Sequence, residues 1–354
     1  MRVLSRLNPP LPLRSFLRVT GYKLRPPQPL PFVPAVTRAA TGVLFRGEAG
    51  PHQAASILRE RRAGGRPTIV LGGFVPDSTE QVYLIRGTLL RHGSVYYMNY
   101  PRKGFSVAMI CAQLDDLVEE LAQCGQPPVV LSVSFGSGLL VEWLLRRSLR
   151  REPAALAGVV LVSPVCCHDD IVDPLAPRPA TLLGRALKPF FGQSAEPSAV
   201  ERARAIFAKM FEAGANNRAA IAGLLSAAEL LYLREKVISA IRGIDPEGAR
   251  ERVRALGEIS HPQTWGLAPG PLTHAPAMVL YAEREDSVMA ERAPTPQVLE
   301  SAGPGLFPSL ETHVVGGGQS PVQHASLIFH YYQFLPYFES FYRRLKPSKL
   351  VLAA

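Results

Sequence analysis

Near-continuous apolar runs of strand length recur along this chain, and from Gly65 they alternate with segments of helical spacing. The runs are Thr68 to Phe74 (TIVLGGF), Ser94 to Tyr100, Pro128 to Ser134 and Gly158 to Val165 (GVVLVSPV). Between them, Thr79 to Arg91 carries Val82, Leu84, Ile85, Leu89 and Leu90 at helical positions. Val107 to Leu121 reads as a second helix, with acids on its outer face. A strand that is apolar on both faces must be covered on both faces, and intervening helices supply the covers. The expected architecture is therefore α/β: a mostly parallel central sheet with helices on both faces and right-handed crossovers.

After Val165 the alternation stops. Residues 166–276 show helical patterns only, including the stripe Val200, Ala203, Ile206, Phe207, Met210 and Phe211 and a longer segment from Ala220 to Ile241. Sheet patterning resumes at Ala277 to Ala282 (AMVLYA), and Ser309 to Val315 reads as the last strand. A closing helix follows to about Lys346. Helices inserted between two sheet strands are expected to form a cap over the core, so residues 166–276 are assigned to a cap and residues 51–165 with 277–354 to the core. With 354 residues and 47% hydrophobic composition, the chain has ample material for one large domain with an insertion, or for two domains.

Residues 1–50 differ from the rest. They hold eight prolines, and eight Lys or Arg against Glu48 alone, which supplies +7 of the net +10. This is a basic, Pro-rich arm, read either as an extended strap across the domain or as a surface for weak peripheral contact with anionic lipid. Pro9, Pro10, Pro12 and Arg14 interrupt any apolar signal core, and no run approaches membrane-spanning length, so the expected compartment is cytoplasmic. The main body carries only the remaining +3, which gives nucleic-acid binding no support. The four cysteines lack metal-ligand spacing and read as free thiols of a reducing compartment.

The residues with chemistry to offer stand at the ends of the predicted strands, where a parallel sheet gathers its functional loops. Ser134 ends one strand in Ser132-Val133-Ser134-Phe135-Gly136 and a helix begins at once. A serine there is held on a tight turn, although three small residues in this spacing also fit a plain helix N-cap. Asp286 follows Ala277–Ala282, and His324 follows Ser309–Val315. A serine hydroxyl is a poor nucleophile without a base, a group that orients the base, and donors for the oxyanion. His324 and Asp286 are candidates for the first two roles. The backbone N–H groups of Phe135 and Phe74 are candidates for the third, with Gly73 or Val75 as alternatives to Phe74. Asp169 and Asp170 compete with Asp286, while Glu285 reads as a solvated loop charge. His313 and His330 read as structural.

This layout resembles the α/β-hydrolase fold superfamily, whose pattern is a G-x-S-x-G elbow, an acid after a later strand, a histidine after the last strand and an oxyanion donor after an early one. The resemblance spans roughly residues 65–345, and Ser132 departs from it by replacing the first glycine. It implies a serine hydrolase with a helical cap that cleaves a carboxylic ester or thioester through a Ser134-His324-Asp286 triad and an acyl-enzyme. A serine acyltransferase and a non-catalytic binding protein on the same fold are the alternatives. No dinucleotide fingerprint or metal-ligand cluster is present, so no cofactor is expected, and the expected partner is a small-molecule acyl ester or thioester.

Overall fold

The computed structural model of the chain describes residues 29–35, 53–191, 197–221 and 225–345. Among these residues eight strands form one sheet: β1 (Leu30–Pro31), β2 (Ser56–Glu60), β3 (Thr68–Leu71), β4 (Val95–Asn99), β5 (Val129–Val133), β6 (Gly158–Val162), β7 (Ala277–Ala282) and β8 (Leu310–Val315). Their spatial order is β1-β2-β4-β3-β5-β6-β7-β8. From β4 to β8 every pairing is parallel, and β2 and β1 extend the β4 edge antiparallel.

The helices are α1 (Ser78–Gln81), α2 (Arg86–His92), α3 (Val107–Gln123), α4 (Phe135–Leu149), α5 (Leu182–Leu187), α6 (Pro197–Ala215), α7 (Arg218–Ile221), α8 (Ala227–Gly243), α9 (Pro246–Glu258), α10 (Pro294–Ser301), α11 (Gly303–Leu306) and α12 (Tyr331–Arg344).

Strand periodicity explains why the central strands are apolar throughout. Successive side chains point to opposite faces, and both faces are covered. Ile69, Leu71, Val130, Val159 and Leu161 join a cluster with Ile110, Leu114 and Leu117 of α3 and Trp143 of α4. Their neighbours Val70, Val129, Leu131, Val160 and Val162 join a second cluster with Leu89 of α2 and Phe334, Phe338 and Phe341 of α12. All positions of β3, β5 and β6 are buried.

Between β6 and β7 the described residues form helices only. Their apolar stripes do not form a separate core. Leu183, Val200, Ala203, Val253 and Leu256 belong to the same cluster as the first face of the sheet.

Three local differences from the sequence pattern have physical reasons. The predicted helix over Thr79 to Arg91 is broken into α1 and α2, with buried Val82 to Ile85 in the turn between them. The acids of α3 are not all on an outer face: buried Asp115 accepts from Trp143 Nε1 at 2.8 Å and Arg147 Nη1 at 2.6 Å, which ties α3 to α4. From the basic arm, Leu30–Pro31 is an edge strand, Phe32 packs edge-on against Tyr96, and Arg59 sits over the Phe32 ring. The rest of the arm beyond residues 29–35 lies outside the described residues. Among the described residues, no helix is long and apolar enough to cross a membrane.

Candidate active site

Ser134 occupies the turn between β5 and α4 with φ 50° and ψ −119°, a conformation that L-residues rarely adopt. The turn is held from both sides. Ser134 N–H donates to Val162 O at 2.8 Å, while Ser134 O accepts from Ser137 N at 2.9 Å and Val165 N at 3.2 Å. Gly136 is required where α4 crosses the end of β3. A Cβ there would lie 2.4 Å from Gly72 O and 2.6 Å from Leu71 O. Ser132, where the elbow pattern has glycine, is fully buried. It is accommodated by hydrogen bonds between its Oγ and Ser137 Oγ and Val160 O, each 3.1 Å.

His324 Nε2 lies 2.9 Å from Ser134 Oγ. The histidine loop is fixed from its flanks: Ala325 N–H donates to Ser163 Oγ at 2.9 Å, and Arg284 N–H donates to Val322 O at 2.9 Å. The latter contact belongs to a parallel bridge between Arg284 and Gln323, which brings the loop after β7 against the loop after β8.

The carboxylate that reaches His324 is Glu285, which corrects the expectation of Asp286. A 3-10 turn covers Glu285–Ser287, so adjacent side chains leave it in different directions. Glu285 turns inward, with Oε1 accepting from Ala282 N at 2.6 Å and Oε2 hydrogen-bonded to His324 Nδ1. Asp286 turns outward. Its side chain is 67% exposed, against 17% for Glu285, and it is paired with Arg284 at 2.9 and 3.1 Å. The Arg284 guanidinium holds the Asp286 carboxyl below its ordinary range.

The other two candidate acids are engaged elsewhere. Asp170 is fully buried and accepts from Cys166 N, Cys167 N, Thr295 N and Thr295 Oγ1, linking the end of β6 to α10; burial raises its pKa. Asp169 faces His168 at 2.7 Å and His261 at 3.3 Å.

An ionised carboxylate only accepts, so His324 Nδ1 carries the proton and donates to Glu285. In the neutral ring Nε2 then presents its lone pair and accepts from the Ser134 hydroxyl. The three groups form one directed chain of hydrogen bonds.

The loop after β3 faces the serine. Gly72 N–H donates to Ser78 Oγ at 2.9 Å and Gly73 N–H to Gln81 Oε1 at 2.8 Å. Gly73 is thereby removed as an alternative oxyanion donor. Neither Phe74 N–H nor Phe135 N–H donates to an acceptor among the described residues. Their rings stack at 4.4 Å in the core, which fixes both backbones. The Phe74 carbonyl accepts from Arg252 Nη1 of α9 at 2.7 Å.

Ser134 and His324 open on a cleft of about 580 Å³ whose walls are mainly apolar, among them Leu183, Phe207, Phe211, Ile241, Ile328 and Phe329. The α6 stripe serves two ends: Val200 and Ala203 pack in the core, while Phe207, Met210 and Phe211 line the cleft. His330 is buried and also lines the cleft. It is held by Ser326 Oγ at 2.8 Å, and burial lowers its pKa.

No family model matches the sequence, and no curated protein matches it. Solved structures do share its architecture. A carboxylesterase from Bacillus subtilis matches with a TM-score of 0.55 and 13% identity over 94% of this chain and 98% of its own. The fold is that of the α/β-hydrolases. An esterase from Rhodococcus sp. ECU1013 matches with a TM-score of 0.54 and 16% identity, covering 82% of this chain and 96% of the esterase. A bromoperoxidase from Bacillus anthracis gives 0.53 and 14% over 82% and 96%. Identities this low establish the α/β-hydrolase fold and nothing finer, and the reaction rests on the site's own geometry.

Proposed function

We propose that this α/β-hydrolase-fold chain is a serine hydrolase that cleaves carboxylic esters or thioesters through an acyl-enzyme. The observation that carries this reading is the continuous chain from Ser134 Oγ through His324 to Glu285, with the serine on a positive-φ turn at an apolar cleft. His324 Nε2 takes the hydroxyl proton as Ser134 Oγ attacks the carbonyl carbon. Glu285 fixes the Nδ1–H tautomer and stabilises the imidazolium that forms. The oxyanion is received by the N–H groups of Phe135 and Phe74. His324 then gives the proton to the leaving alcohol or thiol, and a water activated by the same nitrogen hydrolyses the acyl-enzyme. The helices between β6 and β7 act as the cap, and the apolar walls they contribute accept the acyl chain.

A nitrophenyl ester series of increasing acyl length, run beside acyl thioesters, tests this reading. Burial of each further methylene in the cleft contributes about 0.8 kcal/mol, so kcat/KM is expected to rise about three- to fourfold per carbon until the cleft is full. Ser134→Ala is expected to abolish turnover. A wild-type chain inert toward every ester and thioester refutes the reaction, and a rate independent of acyl length refutes the assignment of the cleft.

A further inference from the structure

Gln81 ends α1, is buried, and lines the same cleft as Ser134. Its Oε1 accepts the Gly73 N–H at 2.8 Å, and this contact decides which way the amide faces, because a backbone donor cannot be met by an NH2 group. Nε2 is then the other arm of the same planar amide, directed away from the Gly73 N–H. It donates to no acceptor among the described residues, and it is not one of the buried unpartnered side-chain atoms, so it keeps some exposure.

The space beside it is bordered by the serine. A methyl group placed on Gly73 would lie 3.5 Å from Ser134 Cβ and 3.7 Å from each terminal atom of Gln81. Glycine leaves this volume open, so the amide and the serine flank one small gap at the end of β3. The same gap adjoins Phe74, whose N–H is already assigned to the oxyanion.

We propose that the Gln81 side-chain amide is a third oxyanion donor, a catalytic residue that supplements the backbone N–H groups of Phe74 and Phe135. This rests on the serine hydrolase reading above. As Ser134 Oγ bonds to the carbonyl carbon, the carbonyl π electrons move onto oxygen. Nε2–H then donates to that oxygen, and the interaction relaxes when the carbonyl re-forms and the leaving group departs. No proton is transferred from the amide, because its role is electrostatic. Its preorganisation comes from Gly73, which fixes the amide plane before substrate arrives.

Gln81→Glu separates this role from a structural one. The carboxylate has nearly the same shape and still accepts the Gly73 N–H, but it replaces the donor with an acceptor. The expected result is a fall in kcat of about 10²–10³, with KM changed less than threefold, a near-wild-type melting temperature, and a parallel fall in the rate of fluorophosphonate labelling. Gly73→Ala is the second variant: its methyl makes only ordinary contacts but fills the gap, so a comparable loss of kcat is expected in a folded chain. If Gln81→Glu proves unstable, Gly73→Ala carries the test. Variants that keep kcat within threefold of an active wild type overturn the donor role and leave the serine mechanism standing. A wild type that neither turns over nor labels removes the reaction, and the donor role with it.

Discussion

The assignment of Glu285 over its neighbour Asp286 yields the sharpest test, because the two carboxylates are adjacent in sequence and opposite in environment. In Glu285→Gln the carbonyl oxygen keeps its contact with Ala282 N–H, so the amide NH2 is presented to His324 Nδ1. Two donors cannot face each other. The ring must shift its proton to Nε2, and Nε2 then cannot accept the proton of Ser134. Wrong-tautomer substitutions of this kind lower kcat by about 10⁴ in the best-studied serine triad, which corresponds to about 5.5 kcal/mol of transition-state stabilisation. The same order is expected here, with KM little changed and the fold intact. Asp286→Asn removes only a solvent-exposed pair with Arg284, so kcat should stay within about twofold. Steady-state kinetics on one nitrophenyl ester, with circular dichroism of each variant, checks both. A Glu285→Gln enzyme within tenfold of wild type, or an Asp286→Asn enzyme that loses as much as Glu285→Gln, refutes the reasoning.

Three further outcomes follow from the same contacts. Burial, with Asp77 nearby and only partly offset by the Thr79 side chain, raises the Glu80 carboxyl from 4.5 to about 7 in the folded chain. The folded state therefore holds a proton that the unfolded state has released, and stability should fall as pH rises from about 4.5 through 7, by on the order of 3 kcal/mol. Urea denaturation at pH 5 and pH 8 should show this loss in wild type and a smaller one in Glu80→Gln; equal losses in the two exclude Glu80 as its source. Gly136→Ala would drive a methyl against the carbonyl oxygens of Gly72 and Leu71, neither of which can yield without moving the end of β3. The cost should exceed about 3 kcal/mol, seen as a lowered denaturation midpoint or as loss of folded protein, and a midpoint equal to wild type contradicts the close approach. Arg252 is buried and bonded to the carbonyl oxygens of Phe74, Tyr100 and Pro101; desolvation pulls its pKa down to about 10, still cationic at neutral pH. Arg252→Lys, whose single ammonium cannot span the three carbonyls, should lower kcat about tenfold more than it raises KM, and unchanged kinetics would show that the Phe74 loop does not depend on it.

The sheet was legible because its central strands are buried on both faces, and runs such as Val129–Val133 and Ala277–Ala282 have no other economical reading. The edge was not. Ser56–Glu60 contains only two apolar residues, and Leu30–Pro31 only a two-residue pairing, so neither carries a period-2 signal. Ser134 and His324 each follow a predicted strand, and the structure brings them to 2.9 Å. The acid was not legible, because Glu283, Glu285 and Asp286 share one short loop and the choice among them depends on a 3-10 turn and on the inward bond to Ala282 N–H. Nothing in composition distinguishes an inward carboxylate such as Glu285 from an outward, solvated one. Gln81 was invisible for a related reason: its role depends on the break between α1 and α2 and on a glycine N–H eight positions earlier, neither of which leaves a periodic trace.

The central claim is that Ser134 is an activated nucleophile and not a serine on a helix turn. Its most direct measurement is the intact mass of the wild-type chain after exposure to a fluorophosphonate probe, with the modified peptide located by fragmentation. One adduct per chain is expected, on Ser134, absent from Ser134→Ala and formed far more slowly in His324→Ala. A folded wild-type chain that takes no adduct, or takes it at another residue with Ser134 unmodified, contradicts it.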